Sequence, residues 1–321
     1  MVAGEDEGPV RKGLTFGVLK ARYAALPGNM RGALWMLLAA FTFTLSTTLV
    51  KYLGDDYSPA LQTFYRNTVA FLCMLPIILR NPRRALATNR LGILLFRSGA
   101  GTIAMVLTFY AYQKMPLADA NALSFTRTLW LVPLAAFFLR EHIGPRRIAA
   151  TVVGFLGVLV MVQPGGANAH FGWPAMAMLT AAFLLAFNVA GIKLMTKDNS
   201  TLVLTSWAAV LGLVAAVPLA LVSWRWPTPI DLALLVAMGV FALITQACYL
   251  RGMAEGDAAA MSPLDYTRLP FAVLFGFLLF HEIPNPVTLL GAAIVIGSTL
   301  YITLREAQLG KKPAVAPAEP S

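Results

Sequence analysis

The chain has 321 residues, 58% of them hydrophobic and 12% charged, with a formal net charge of +10 and a mean hydropathy of +0.69. Soluble globular chains carry about 25% charged residues, so this composition excludes a soluble enzyme, a disordered chain and a fibre. The apolar residues arrive in blocks of roughly 20, the length at which a helix crosses a ~30 Å hydrocarbon core. The sequence reads as an all-α integral membrane protein.

Residues 1–30 form a tail in which Glu5, Asp6 and Glu7 precede Arg11, Lys12, Lys20 and Arg22, an order unlike a cleavable signal. Within it, GLTFGVLKARYAAL (13–26) mixes apolar and basic positions, as an amphipathic helix on the inner membrane surface or a simple basic tail would. Ten transmembrane helices follow, at about 32–53, 60–79, 91–113, 118–139, 147–163, 172–195, 201–223, 232–251, 257–279 and 287–304, with ends good to a few residues. Their short connections make neighbouring helices antiparallel hairpins. Residues 306–321 end in KKPAVAPAEPS, a Pro/Ala-rich stretch expected to be a disordered cytoplasmic tail.

The charges punctuate the apolar spans and form no continuous basic face, which argues against a nucleic-acid partner. With the N-terminus inside, the cytoplasmic loops and tails receive 17 of the 25 Lys and Arg and the outer loops only Lys114 and Arg225, so both termini are expected in the cytoplasm. Lys51, Arg66, Arg97, Arg127, Lys193 and Arg268 fall within spans. Cys73 and Cys248 each lie in an apolar stretch and read as small core residues with no disulfide. A plasma membrane, most simply a bacterial inner membrane, fits a chain without a transit peptide.

The halves superimpose. Lys51 falls on Lys193 and Pro76 on Pro218 at a shift of 142; Arg127 falls on Arg268 and Glu141 on Glu282 at 141; Gly157 falls on Gly297 at 140. Residues 31–165 and 170–305 are therefore read as two five-helix repeats. Five is odd, so the second repeat enters the membrane upside down, and inverted repeats of this kind place a binding site near the midplane and expose it alternately to the two sides. Duplication kept only for packing is the bland alternative, but a purely structural protein has no need of inverted halves.

The segments FLREHIGPRRIAATVVGFLGVLVMVQPGG and FLLFHEIPNPVTLLGAAIVIGSTLYI, each an apolar run with a glutamate followed by a Gly-rich closing span, resemble EamA-type transporters of the drug/metabolite transporter superfamily. Glu141 and Glu282 match the glutamate, and the resemblance covers about residues 31–305. His142 and His281 beside those glutamates depart from the common pattern. The resemblance implies a central cavity lined by the first four spans of each half, a more peripheral fifth span, and secondary transport of small metabolites, often outward.

An Arg or Asp at a helix centre costs about 2.5–3.5 kcal/mol on insertion scales, so such residues should face a polar interior. Arg127 and Arg268 lie near mid-depth in equivalent spans, and two guanidiniums converging on one cavity would suit a carboxylate or phosphate. The competing reading pairs Arg268 with Asp265, three residues earlier on the same helix face; Asp265 could instead meet a substrate amine or exchange a coupling proton. Pro263 and Pro270 around it should interrupt the helix, and Pro133 is expected to bend span four similarly, at a different depth. Arg66 and Arg97 are close enough to an interface to snorkel, and Lys51 and Lys193 read as interfacial anchors. Trp130, Tyr266, Tyr110, Tyr249, Tyr65, Tyr112 and Trp207 are candidate cavity walls. Asn121, Gln246 and Asn188 could bond substrate or a neighbouring helix. Glu141 and Glu282 read as helix N-terminal caps.

His142, His170 and His281 fall in or beside loops on both sides of the membrane and cannot meet as a metal site, no catalytic constellation is evident, and GxxxxGK[ST] is absent. The reading is a transporter, not an enzyme, without cofactor. It moves a small polar metabolite, an organic anion or amino acid, with export favoured over uptake of a vitamin- or nucleoside-like substrate. The different-class alternatives are a membrane enzyme and a receptor or assembly subunit. The expected partners are the substrate, the lipid bilayer and a proton as candidate coupling ion, with a monomer or homodimer as the working unit.

Overall fold

The computed structural model describes residue 23 and residues 26–88, 91–139, 144–162, 172–195 and 201–310. The segment 13–26 (apart from residues 23 and 26), Glu141, His142, His170 and the chain end from 311 lie outside these residues. Helices α1 (Gly28–Tyr52), α2 (Pro59–Arg80), α3 (Leu91–Lys114), α4 (Leu117–Ser124), α5 (Thr126–Leu139) and α6 (Pro145–Val162) make up the first half. The second half holds α7 (Trp173–Met195), α8 (Thr201–Leu221), α9 (Pro229–Glu255), α10 (Arg268–Phe280) and α11 (Pro286–Gly310). No strand occurs among the described residues.

Among the described residues seven helical stretches are long and apolar enough to cross a membrane, including Ser262–Phe280 taken as one, and Trp173–Val189 is a shorter apolar helix. This is a multi-pass membrane protein. Ten such spans are not reached, for identifiable reasons. The first half of α2 is polar, carrying Gln62, Thr63, Arg66, Asn67 and Thr68. Span four is broken at Phe125 into α4 and α5. Interruption near Pro263 does occur: a 3-10 segment, Ser262–Thr267, precedes α10. Pro270, by contrast, sits in the first turn of α10, where its missing N–H leaves no bond unmade. Pro133 lies inside a continuous α5.

The most extensive interfaces join α1 to α9, α3 to α7, α2 to α8 and α6 to α11. Exchanging the halves turns the α1–α9 contact into α7–α3 and returns α2–α8 and α6–α11 onto themselves, so the packing has the two-fold pattern of the sequence repeat. At the α6–α11 interface a Cβ on Gly157 would meet the Gly291 carbonyl oxygen at 3.0 Å, and a Cβ on Gly291 would meet that of Gly157 at 2.7 Å. Two glycines thus let the backbones touch, as membrane helices require when lipid supplies no hydrophobic drive between them. Gly291→Val is expected to destabilise the protein by about 1–3 kcal/mol through overpacking, measurable as reduced thermal stability in detergent.

The end of the bundle at which α1 finishes is cross-linked. The Lys51 ammonium pairs with the Glu282 carboxylate and donates to the Met115 carbonyl, and the second Glu282 oxygen accepts the Leu117 N–H at 2.9 Å. Glu282 therefore caps α4, 165 residues away in sequence, rather than the helix that follows it. His281 adopts φ 54°, the left-handed conformation that closes α10 and turns Glu282 inward. Lys51 is correspondingly no interfacial anchor; its side chain is 14% exposed. Nearby, Tyr57 donates to Asp231, Ser58 bonds Ser223 and Arg225 pairs with Asp56. Both cysteines are free; Cys248 is buried, as expected of a core residue, whereas Cys73 is exposed on α2.

Candidate binding cavity

A cavity of about 370 Å³ lies between α2, α3, α5, α7 and α8, lined by Arg66, Asn67, Arg97, Ser98, Gly101, Thr102, Met105, Arg127, Leu185, Asn188, Val189, Ala208 and Gly212. Among the described residues three arginines line it and no carboxylate does. The helices around it are tied by backbone carbonyls. Asn67 on α2 donates to the Gly212 carbonyl of α8 at 2.9 Å, and Arg97 on α3 reaches the Leu204 carbonyl of α8 at 3.4 Å. Gly101 faces the Asn188 amide, which a Cβ there would meet at 3.5 Å, an ordinary van der Waals contact. The Thr102 hydroxyl donates to Ser98 in its own helix, so it presents lone pairs, not a proton, to the cavity.

Arg127 reaches this place because span four is broken just before it. At Phe125 the helical ladder shifts to shorter bonds, with the Thr126 hydroxyl donating to Leu123 and that of Ser124 to Asn121. The second half repeats the device: the 3-10 segment ends at Thr267 and Arg268 follows. An aromatic-Thr-Arg triplet, Phe125–Arg127 and Tyr266–Arg268, marks both breaks, and Phe125 and Tyr266 meet edge to face at 4.9 Å. The triplet was the signal available in the sequence that spacing arguments alone passed over.

The two equivalent arginines differ in their surroundings. Arg268 donates to the Asp265 carboxylate at 2.6 Å and to its carbonyl at 3.1 Å, with its guanidinium over the rings of Phe43 and Phe125 at 4.5 and 5.1 Å. It is neutralised in place and does not line the cavity. The first-half residue corresponding to Asp265 is Ser124, so Arg127 has no such partner, and it makes no ion pair or hydrogen bond among the described residues.

The other sequence candidates are dispersed. Trp130 packs edge-on against Phe155 and Phe183, and its buried Nε1 has no partner among the described residues. Tyr266 donates its hydroxyl proton to the Thr299 hydroxyl at 2.5 Å. Asn121 is fully buried and donates to Leu117 in its own helix. Tyr110 on α3 and Tyr249 on α9 are half-buried, and Gln246 on α9 is exposed; none lines the cavity. Of the residues named as candidate ligands, Arg127 is the one found there, joined by Asn188. Arg66 and Arg97 do not snorkel to an interface. They turn inward because α2 and α3 present those faces to α7 and α8, a matter of helix rotation that residue depth does not encode.

The EamA-like transporter family model matches this chain twice, over residues 30–163 and 172–304. The chain belongs to the EamA-like transporter family. Its EamA relatives include the S-adenosylmethionine uptake transporter of Rickettsia prowazekii (strain Madrid E), 28% identical over 88% of this chain and 95% of that one. The riboflavin transporter of Rhizobium johnstonii is 30% identical over 88% and 94%, and the pseudopaline exporter CntI of Pseudomonas aeruginosa is 28% identical over 85% and 95%. A crystal structure 17% identical in sequence superposes with a TM-score of 0.58 over 88% of this chain and 99% of the other, which shows a shared fold. The three named relatives are transporters of the drug/metabolite transporter superfamily, and their names span uptake and export.

Proposed function

We propose that this EamA protein is a ten-span secondary transporter, built from inverted five-helix repeats at 31–165 and 170–305, that moves a small organic anion or amino acid by alternating access, with export as the favoured direction. The observation that carries the reading is Arg127, a guanidinium without a carboxylate partner among the described residues, lining a cavity in the middle of the bundle. A charge so placed is costly unless a ligand or water meets it, and a guanidinium grips a carboxylate through two parallel bonds.

The loop charges, 17 cytoplasmic Lys and Arg against two outside, favour cytoplasmic termini in a bacterial inner membrane. In that orientation the cross-linked end held by Lys51 and Glu282 is the outer one. The cavity-lining Arg97, Asn188 and Ala208 lie toward the inner ends of α3, α7 and α8, and Arg66 and Asn67 toward the outer end of α2.

The test is flux in proteoliposomes of the purified protein loaded in turn with labelled carboxylates, amino acids, nucleosides and organic cations. Counterflow of carboxylates or amino acids alone is the expected result, with the direction of an imposed gradient separating export from uptake. Counterflow restricted to nucleosides or cations would overturn the substrate reading.

A further inference from the structure

We propose that the cavity takes a substrate with two separate anionic groups, of the dicarboxylate class, held by Arg66 and Arg97 together with Arg127. The inference rests on the anion reading above and narrows it.

Three guanidiniums share one cavity of about 370 Å³, and among the described residues no carboxylate lines it. The Nε atoms of Arg66 and Arg97 are both buried without a partner among the described residues, and the contact that Arg97 makes to the Leu204 carbonyl is long, at 3.4 Å. The fold has a way to neutralise a membrane arginine, and uses it at Arg268 with Asp265 and two aromatic faces. It does not use it here. One carboxylate in this space would leave two cationic charges unbalanced in a low-dielectric site, whereas two leave one.

The charge is also one-sided. At the shift of 142 that aligns Lys51 with Lys193, Arg66 falls on Ala208, which lines the same cavity from the other half. Arg66 is thus not a by-product of the duplication, unlike Arg127, which has Arg268 as its counterpart. Their entry points separate the anionic groups: Arg66 lies two turns from the start of α2 at one end of the bundle, and Arg97 under two turns from the start of α3 at the other. Cations spread along the membrane normal match two carboxylates on a short chain better than one compact phosphate. Asn67 and Asn188 lie along the same cavity to meet its polar substituents.

Thermal denaturation of the purified protein in detergent tests this, with succinate, glutarate and adipate titrated beside butyrate, valerate and hexanoate. Wild type, R66Q, R97Q, R66K, R97K and R127Q are compared. A ligand of the native state raises apparent stability by mass action, so apparent affinities follow, and at least one dicarboxylate is expected to bind about tenfold or more tightly than its matched monocarboxylate. R66Q and R97Q should each erase that preference, with the lysine variants retaining part of it. Should a glutamine variant not fold, the wild-type preference alone decides. Equal binding of mono- and dicarboxylates, lost in R127Q but unchanged in R66Q and R97Q, would overturn the dianion proposal and leave the anion reading standing. No stabilisation by any carboxylate would remove both.

Discussion

Arg127→Gln is expected to lower affinity for carboxylate substrates by about tenfold to a hundredfold, the equivalent of about 1.5–3 kcal/mol for a hydrogen bond to a charged group. Flux in proteoliposomes should fall toward background. The reason is the asymmetry between the two equivalent arginines. Arg268 spends its donors on Asp265, while Arg127 has a serine, Ser124, where that carboxylate would be. Gln is uncharged and of similar length, so burying it costs less than burying a guanidinium, and thermal stability without ligand should hold or rise. Arg268→Gln makes the contrast: it strands Asp265 without its cation and should destabilise the fold. If Arg127→Gln transported as well as wild type, Arg127 would have no part in substrate recognition.

Lys51→Met is expected to destabilise the protein by about 3 kcal/mol, since removing one partner of a buried ion pair leaves the other charge uncompensated. Three bonds depend on this pair: the ammonium to Glu282, the ammonium to the Met115 carbonyl, and the Glu282 carboxylate to the Leu117 N–H that opens α4. The side chains are 14% and 17% exposed, so solvent does little to screen the loss. The double variant Lys51→Met/Glu282→Gln should recover part of the cost, because a neutral amide at 282 can still accept from Leu117. Thermal unfolding of the two single variants and the double variant gives the coupling directly. A double variant no more stable than the worse single variant would mean that the charges do not act on each other. In the alternating-access scheme this pair joins α1, the start of α4 and the end of α10, so weakening it should also favour opening of that end of the bundle.

Arg66 and Arg97 illustrate what a linear reading cannot reach. Their depths were legible, and snorkelling follows from depth alone. Their direction depends on how α2 and α3 are rotated against α7 and α8. In soluble helices a polar face announces that rotation; in a membrane the lipid-facing side is as apolar as the packed side, so rotation leaves little trace in the pattern. The same reasoning accounts for Cys73, read as core but exposed on α2, and for Trp130, read as a cavity wall but packed against Phe155 and Phe183. The ion pair at Asp265 was visible because an i, i+3 spacing is local. The link from Lys51 to Glu282 was not, because it spans 231 residues.

By itself the sequence determined that this protein is helical, crosses the membrane repeatedly and is duplicated, since these follow from block length, charge spacing and an internal register that any rotation of the helices preserves. It also located Arg127 at mid-depth. Which of the buried arginines is neutralised, which three share a cavity, and which carboxylate caps which helix were decided by the tertiary structure. Those outcomes depend on side-chain directions set where α2, α3, α5, α7 and α8 meet, and lipid, being as apolar as a protein core, lets many rotations satisfy the same sequence until the helices pack.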